Sequence, residues 1–158
     1  MAINTLPFVS GNILTAAQMN ALPMGAVATP VNLTSLNFNP TTAADITGAT
    51  ITFNQVTNRL YKMTYTFFAN CTTSTDTNLR IDFTDTTPTT IDSTFIKFPA
   101  PVAGEGQTYT NTFYFTGSST ASVTRKLRAA RAVGAGTITI FSSATIPFQY
   151  SIEDIGTT

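Results

Sequence analysis

From Met24 onward the chain alternates between large apolar and polar residues with a period of two, the pattern of strands with one face in a core. The clearest case is Arg59 to Asn70. Tyr61, Met63, Tyr65 and Phe67 fall on one face, and Lys62, Thr64, Thr66 and Phe68 on the other. The same rhythm sets Leu79, Ile81 and Phe83 inward while Arg80, Asp82 and Thr84 face solvent. It also sets Tyr109, Phe113 and Phe115 against Thr110, Thr112 and Tyr114, and it puts Ile146, Phe148, Tyr150 and Ile152 on one face of a last strand. Shorter strands are predicted at 24–29, 36–38, 50–56 and 94–98. The polar stretches 30–49, 72–77 and 86–92 read as loops, the first holding the brief 36–38 strand. Thr57-Asn58 and 117–120 read as turns.

Residues 121–133 are ambiguous. Val123, Leu127 and Ala130 also fit a helix that stops at Gly134. A strand is preferred because 137–141 follows so closely that the two form a hairpin across Gly134-Ala135-Gly136. The whole is eight or nine strands of similar length. That predicts an all-β fold, an antiparallel β-sandwich of jelly-roll type spanning 24–158, rather than alternating strands and helices.

Residues 1–23 follow another pattern. Thr15 stands three residues before Gln18, the spacing of a capping box, with Leu14 and Met19 placed as a hydrophobic staple. Pro23 ends the run. A helix of barely two turns is unstable alone in water. Burying its apolar side chains does not offset the entropy of ordering the segment. The expectation is a docking arm with one short helix, held by what it grips, with Phe8, Val9, Leu14, Met19 and Leu22 as its anchors and Gly11 as the bend.

The two ends also carry a resemblance. Phe8-x-x-Gly11-x-x-Leu14-Thr15-Ala16-Ala17-x-Met19-Asn20 resembles the opening of many small structural proteins of tailed bacteriophages. Glu153-Asp154-Ile155-Gly156 resembles the Glu-Asp-Ile-Gly-Pro ending of the same group, with Thr157 where that group often has proline. The resemblance covers about a fifth of the chain. It implies a virion protein with other virion proteins as partners, read here as a capsid-decorating or small tail or fibre component; without a signal-peptide pattern the protein is expected to be made in the host cytoplasm. By the same analogy it implies a homo-oligomer, with a trimer as the leading form.

Composition narrows the chemistry. Charged residues are 10% of the chain and the formal net charge is zero, so nothing draws it as a whole to nucleic acid or to a membrane. No apolar run is long enough for a membrane-spanning helix, and the first residues lack the pattern of a signal peptide. With no histidine, nucleophile–histidine pairs are impossible. Cys71 is the only cysteine, which excludes an internal disulfide and a cysteine zinc site and suits a buried filler. Asp82, Asp85, Asp92, Glu153 and Asp154 are too scattered for a catalytic pair. Glu153 and Asp154, adjacent on a strand, should point to opposite faces. No enzyme, cofactor or metal is expected.

Arg125, Lys126, Arg128 and Arg131 hold half of the basic residues. They are either a contact for an acidic neighbour or the solvated, pairing-resistant side of an edge strand. A second functional class remains open: a sandwich that binds a host-surface glycan through exposed tyrosine beside polar loop residues.

Overall fold

The computed structural model describes residues 22–72, 76–98 and 106–157, together with Ala16 and Met19. Eleven strands run through these residues in two antiparallel sheets, so the described fold is all-β. They are β1 (Gly25–Ala26), β2 (Val31–Leu33), β3 (Leu36–Phe38), β4 (Ala44–Gln55), β5 (Arg59–Cys71), β6 (Thr77–Thr84), β7 (Thr90–Phe98), β8 (Gly106–Thr116), β9 (Ala121–Val133), β10 (Ile138–Ser142) and β11 (Phe148–Thr157).

The first sheet is organised on β5. One edge of β5 pairs with β8 over its length. The other edge meets β11 along Arg59–Thr66 and β10 along Phe68–Cys71. β1 and β2 lie outside β11, and β3 outside β10. The second sheet runs β4-β9-β6-β7. β6 and β7 are joined as a hairpin. At β3–β4, β4–β5, β5–β6, β7–β8, β8–β9 and β9–β10 the chain changes sheet.

The two sheets share one aromatic core. Phe83 of β6 meets the rings of Phe113 and Phe115 of β8 at 4.7 and 5.3 Å between centroids. Phe53 of β4 stands edge-on to Tyr61 of β5 at 5.2 Å, and Phe98 of β7 edge-on to Tyr109 of β8 at 5.7 Å. Such edge-to-face pairs add to what burial alone contributes. Tyr61 also closes the corner between β4 and β5. Its hydroxyl accepts from the Val56 amide at 2.8 Å, beside the Thr57-Asn58 turn where Asn58 adopts φ 60°. Cys71 is buried and free, as expected of a filler.

The period-two reading of β5 and β8 holds, that of β6 holds for Leu79, Ile81 and Phe83 on the inward face, and 121–133 is a strand. Several other expectations are corrected. The 137–141 segment does not form a hairpin with it. β9 lies between β4 and β6 in the second sheet, while β10 joins β5 and β3 in the first, so Gly134 to Gly136 crosses between sheets. The expected loop at 30–49 holds β2 and the start of β4. Alternation breaks there because Ile46 and Ala49 are three apart. Gly48, at φ 84°, sits within a register slip between Asp45 and Thr50 that returns Ala49, Ile51 and Phe53 to the core.

The strand expected at 24–29 is only Gly25–Ala26, and the last strand starts at Phe148, leaving Ile146 outside it. β7 begins at Thr90 rather than 94, so Asp92 is in a strand rather than beside a loop. Asp82 and Thr84, expected to face solvent, are both buried; only Arg80 of the outward set on β6 stays partly exposed.

Candidate assembly surface

The C-terminal Glu153-Asp154-Ile155-Gly156 segment lies where the chain leaves residues 1–21 and enters the sheet. Alternation along β11 turns Glu153 outward and Asp154 inward, as strand geometry requires. Glu153 pairs with Lys62 at 3.1 Å across the partly exposed surface. Asp154 is buried with Arg59. The Arg59 Nε and Nη2 atoms donate to the two oxygens of the Asp154 carboxylate, Nη2 at 2.8 Å from Oδ1. The same Nη2 donates to the Leu22 carbonyl at 2.5 Å.

Backbone geometry completes this corner. The Gly156 amide donates to Asp154 Oδ1 at 2.9 Å, Gly156 has φ 118°, and the pairing with β5 slips between Asp154 and Gly156. A side chain at that φ is strained, so glycine suits the position. Along the other edge of β11, Gly25 and Ala26 of β1 oppose Asp154 and Glu153, and the Val27 amide donates to the Ile152 carbonyl at 3.1 Å. A carboxylate and a guanidinium removed from water gain little net stability from each other, but each fixes the other's geometry. Here they hold the root of the N-terminal segment.

Of the expected arm anchors, Phe8, Val9 and Leu14 lie outside the described residues. Ala16 and Met19 are helical, and Met19 is 58% exposed. The Leu22 amide donates to the Met19 carbonyl at 3.2 Å, and Leu22 is half-buried. Met24, just past the predicted arm, is 67% exposed. Sequence reading missed Arg59. The available signal was a cation in register with Tyr61, Met63, Tyr65 and Phe67, on the face read as core.

The basic run does not lie on an edge strand, because β9 is flanked on both sides. Nor do its four cations share one surface. Lys126 and Arg128 both reach Asp45, at 2.9 and 3.0 Å. Arg125 turns inward, donates to Gln55 Oε1 at 2.8 Å and lies over the Phe115 ring at 5.9 Å. Burial pulls its pKa down, against the opposing pull of Asp85 and Tyr150. Arg131 donates to the carbonyls of Ala135 and Gly136 at 3.3 and 3.0 Å.

The remaining acids have structural roles. Asp82 takes hydrogen bonds from Arg80 and from the Ser93 hydroxyl, at 3.0 and 2.7 Å. Asp85 accepts from the Thr87 hydroxyl and amide and from the Thr89 amide. The Thr87 hydroxyl leads in holding the Asp85 carboxyl below its ordinary pKa. Among the described residues no group of three or more carboxylates, cysteines or histidines stands ready to hold a metal. No helix of the described residues is long and apolar enough to cross a membrane.

No protein-family model matches the sequence, and no curated protein matches it. Solved structures that superpose on it do so loosely. Dimeric latent PorU from Porphyromonas gingivalis aligns with TM-score 0.46 and 8% identity, over 85% of this chain and 13% of that one. The enzymatically active domain of tailspike protein 4 of bacteriophage CBA120 aligns with TM-score 0.35 and 19% identity, over 85% and 19%. A structure of infectious bursal disease virus, Gx strain, aligns with TM-score 0.37 and 10% identity, over 83% and 37%. This chain thus spans well under half the length of each of these chains.

Proposed function

We propose that this chain is a structural component of a bacteriophage particle, a jelly-roll sandwich joined to its neighbours through residues 1–23. The observation that carries the reading is the Arg59–Asp154 pair. It ties the Leu22 carbonyl, two residues past the N-terminal motif, to the buried Asp154 of the C-terminal motif. A tether that transmits load needs such a root. The segment beyond it offers Phe8, Val9, Leu14, Met19 and Leu22 as apolar anchors for partner pockets.

The jelly-roll reading is supported by strand order. The succession β1–β3, β10 with β11, β5 and β8 in one sheet, against β4, β9, β6 and β7 in the other, is that of two interleaved Greek keys. Location on the virion, a homo-oligomeric state and virion partners follow from the resemblance. As a building part the protein needs neither a catalytic centre nor a cofactor. The glycan-binding alternative needs exposed aromatic rings beside polar loop residues. In the open hollow lined by Asn32, Gln149 and Glu153 the aromatic Tyr150 is fully buried, whereas the exposed rings of Tyr114 and Phe95 stand on β8 and β7.

The test is deletion of residues 1–21. The expected outcome is a truncated protein that keeps the β-type circular dichroism and cooperative unfolding of the full chain but no longer enters particles. Incorporation at the full-length level would overturn the reading.

A further inference from the structure

The geometry points to a second assembly contact: β8 of one copy pairs antiparallel with β8 of another, making one sheet continuous across two subunits. Among the described residues three long strands lie at sheet edges, β4, β7 and β8. An exposed edge is a template for strand addition unless charge, proline or a bulge blunts it. β4 carries Asp45 and a register slip around Gly48. β7 carries Asp92 and Lys97, and its pairing with β6 slips at Phe83/Thr84. β8 has none of these devices. Its eleven residues hold no charge and no proline, and it follows β5 without a slip from Leu60↔Thr116 to Asn70↔Gly106. Among the described residues it pairs with β5 alone.

The occupant is a second copy because the strand complements itself. A two-fold axis at Asn111 sets Thr110 opposite Thr112, Tyr109 opposite Phe113 and Thr108 opposite Tyr114. Hydroxyl and aromatic pairs of this kind favour strand pairing, and no like charges meet. The hydroxyl ladder on the outer face also supplies continuity. Thr66 and Thr110 are joined at 2.8 Å, and Thr64 and Thr112 at 3.1 Å. Across the two-fold, the Thr64–Thr112 rung of one subunit runs into the Thr110–Thr66 rung of the other. The contact is isologous, so it closes as a dimer. It does not depend on the arm reading, and its two-fold symmetry differs from the trimer that the resemblance implies.

The test uses the full chain, with mass by light scattering and sedimentation from micromolar to millimolar concentration, and hydrogen exchange of β8. The wild type is expected to form dimers, with β8 amides more protected as concentration rises. Thr110→Lys with Thr112→Lys places like charges opposite each other twice and should weaken dimerisation by about tenfold or more. Thr110→Lys with Thr112→Glu places opposite charges together and should dimerise at least as well as the wild type. Both variants change exposed side chains, and their thermal unfolding shows whether the fold survives. A monomeric wild type, an oligomer indifferent to the two-lysine variant, or equal loss in both variants would overturn the proposal.

Discussion

Arg59 and Lys62 lie three residues apart on one strand, and each meets a carboxylate of the C-terminal motif, but in opposite surroundings. The Arg59–Asp154 side chains are 5% and 2% exposed, the Lys62–Glu153 side chains 36% and 43%. Asp154→Ala removes the carboxylate that faces a buried guanidinium and should cost about 3–5 kcal/mol. Lys62→Ala removes a pair already shared with water and should cost less than about 1 kcal/mol. Urea unfolding of both variants against wild type measures the contrast.

The tyrosines make a pH prediction. Burial raises the pKa of Tyr65, Tyr109 and Tyr150 in the folded protein. In the unfolded chain a tyrosine loses its proton near about pH 10, so above that pH the unfolded state binds fewer protons than the folded one. Their contribution is complete below that pH and is lost as the pH rises toward the folded-state values. The urea midpoint should therefore fall steadily above about pH 10, and Tyr65→Phe should lessen the fall.

At the scale of elements, β9 shows what alternation along a strand does and does not carry. That 121–133 is extended was legible, but for a reason that does not hold. The short link to 137–141 suggested a hairpin, yet it is a crossing between sheets. A short connection through two glycines serves either purpose, and only pairing with β4 and β6 decides. The crossing depends on Gly134, which has φ 92° and whose added Cβ would stand 2.4 Å from the Asp76 carbonyl oxygen. Gly134→Ala should destabilise by about 1–3 kcal/mol or more through backbone strain and this overlap. Thermal unfolding, with Ala135→Gly as a control in the same link, checks it. β4 teaches the converse. Its first part escaped the period-two test because the slip at Gly48 puts two outward residues in succession, so a bulge looked like a loop.

For the molecule as a whole, two sheets of different outer character enclose one aromatic core. The outer face of the second sheet carries Asp45 with Lys126 and Arg128, and Arg80 with Asp82. The outer face of the first carries the threonine ladder and an ion pair between Lys62 and Glu153. Phe83 sits where both sheets meet, against two rings of β8. Phe83→Ala should cost about 3–5 kcal/mol, seen as a lower urea midpoint with a single cooperative transition for both sheets. Two separate transitions would show that the sheets do not unfold as one unit.

The order of residues alone determined that the chain is built of strands, which side chains of β5, β6 and β8 face inward, and that Glu153 and Asp154 part to opposite faces. These are properties of neighbours in sequence, set by the two-residue repeat of extended backbone. Tertiary structure alone decided that β9 is central rather than an edge, that its cations are engaged within the chain, and that Arg59 meets Asp154 across 95 residues of sequence. Such pairings depend on which strands come to lie side by side, and a local repeat is the same whichever partner a strand finds.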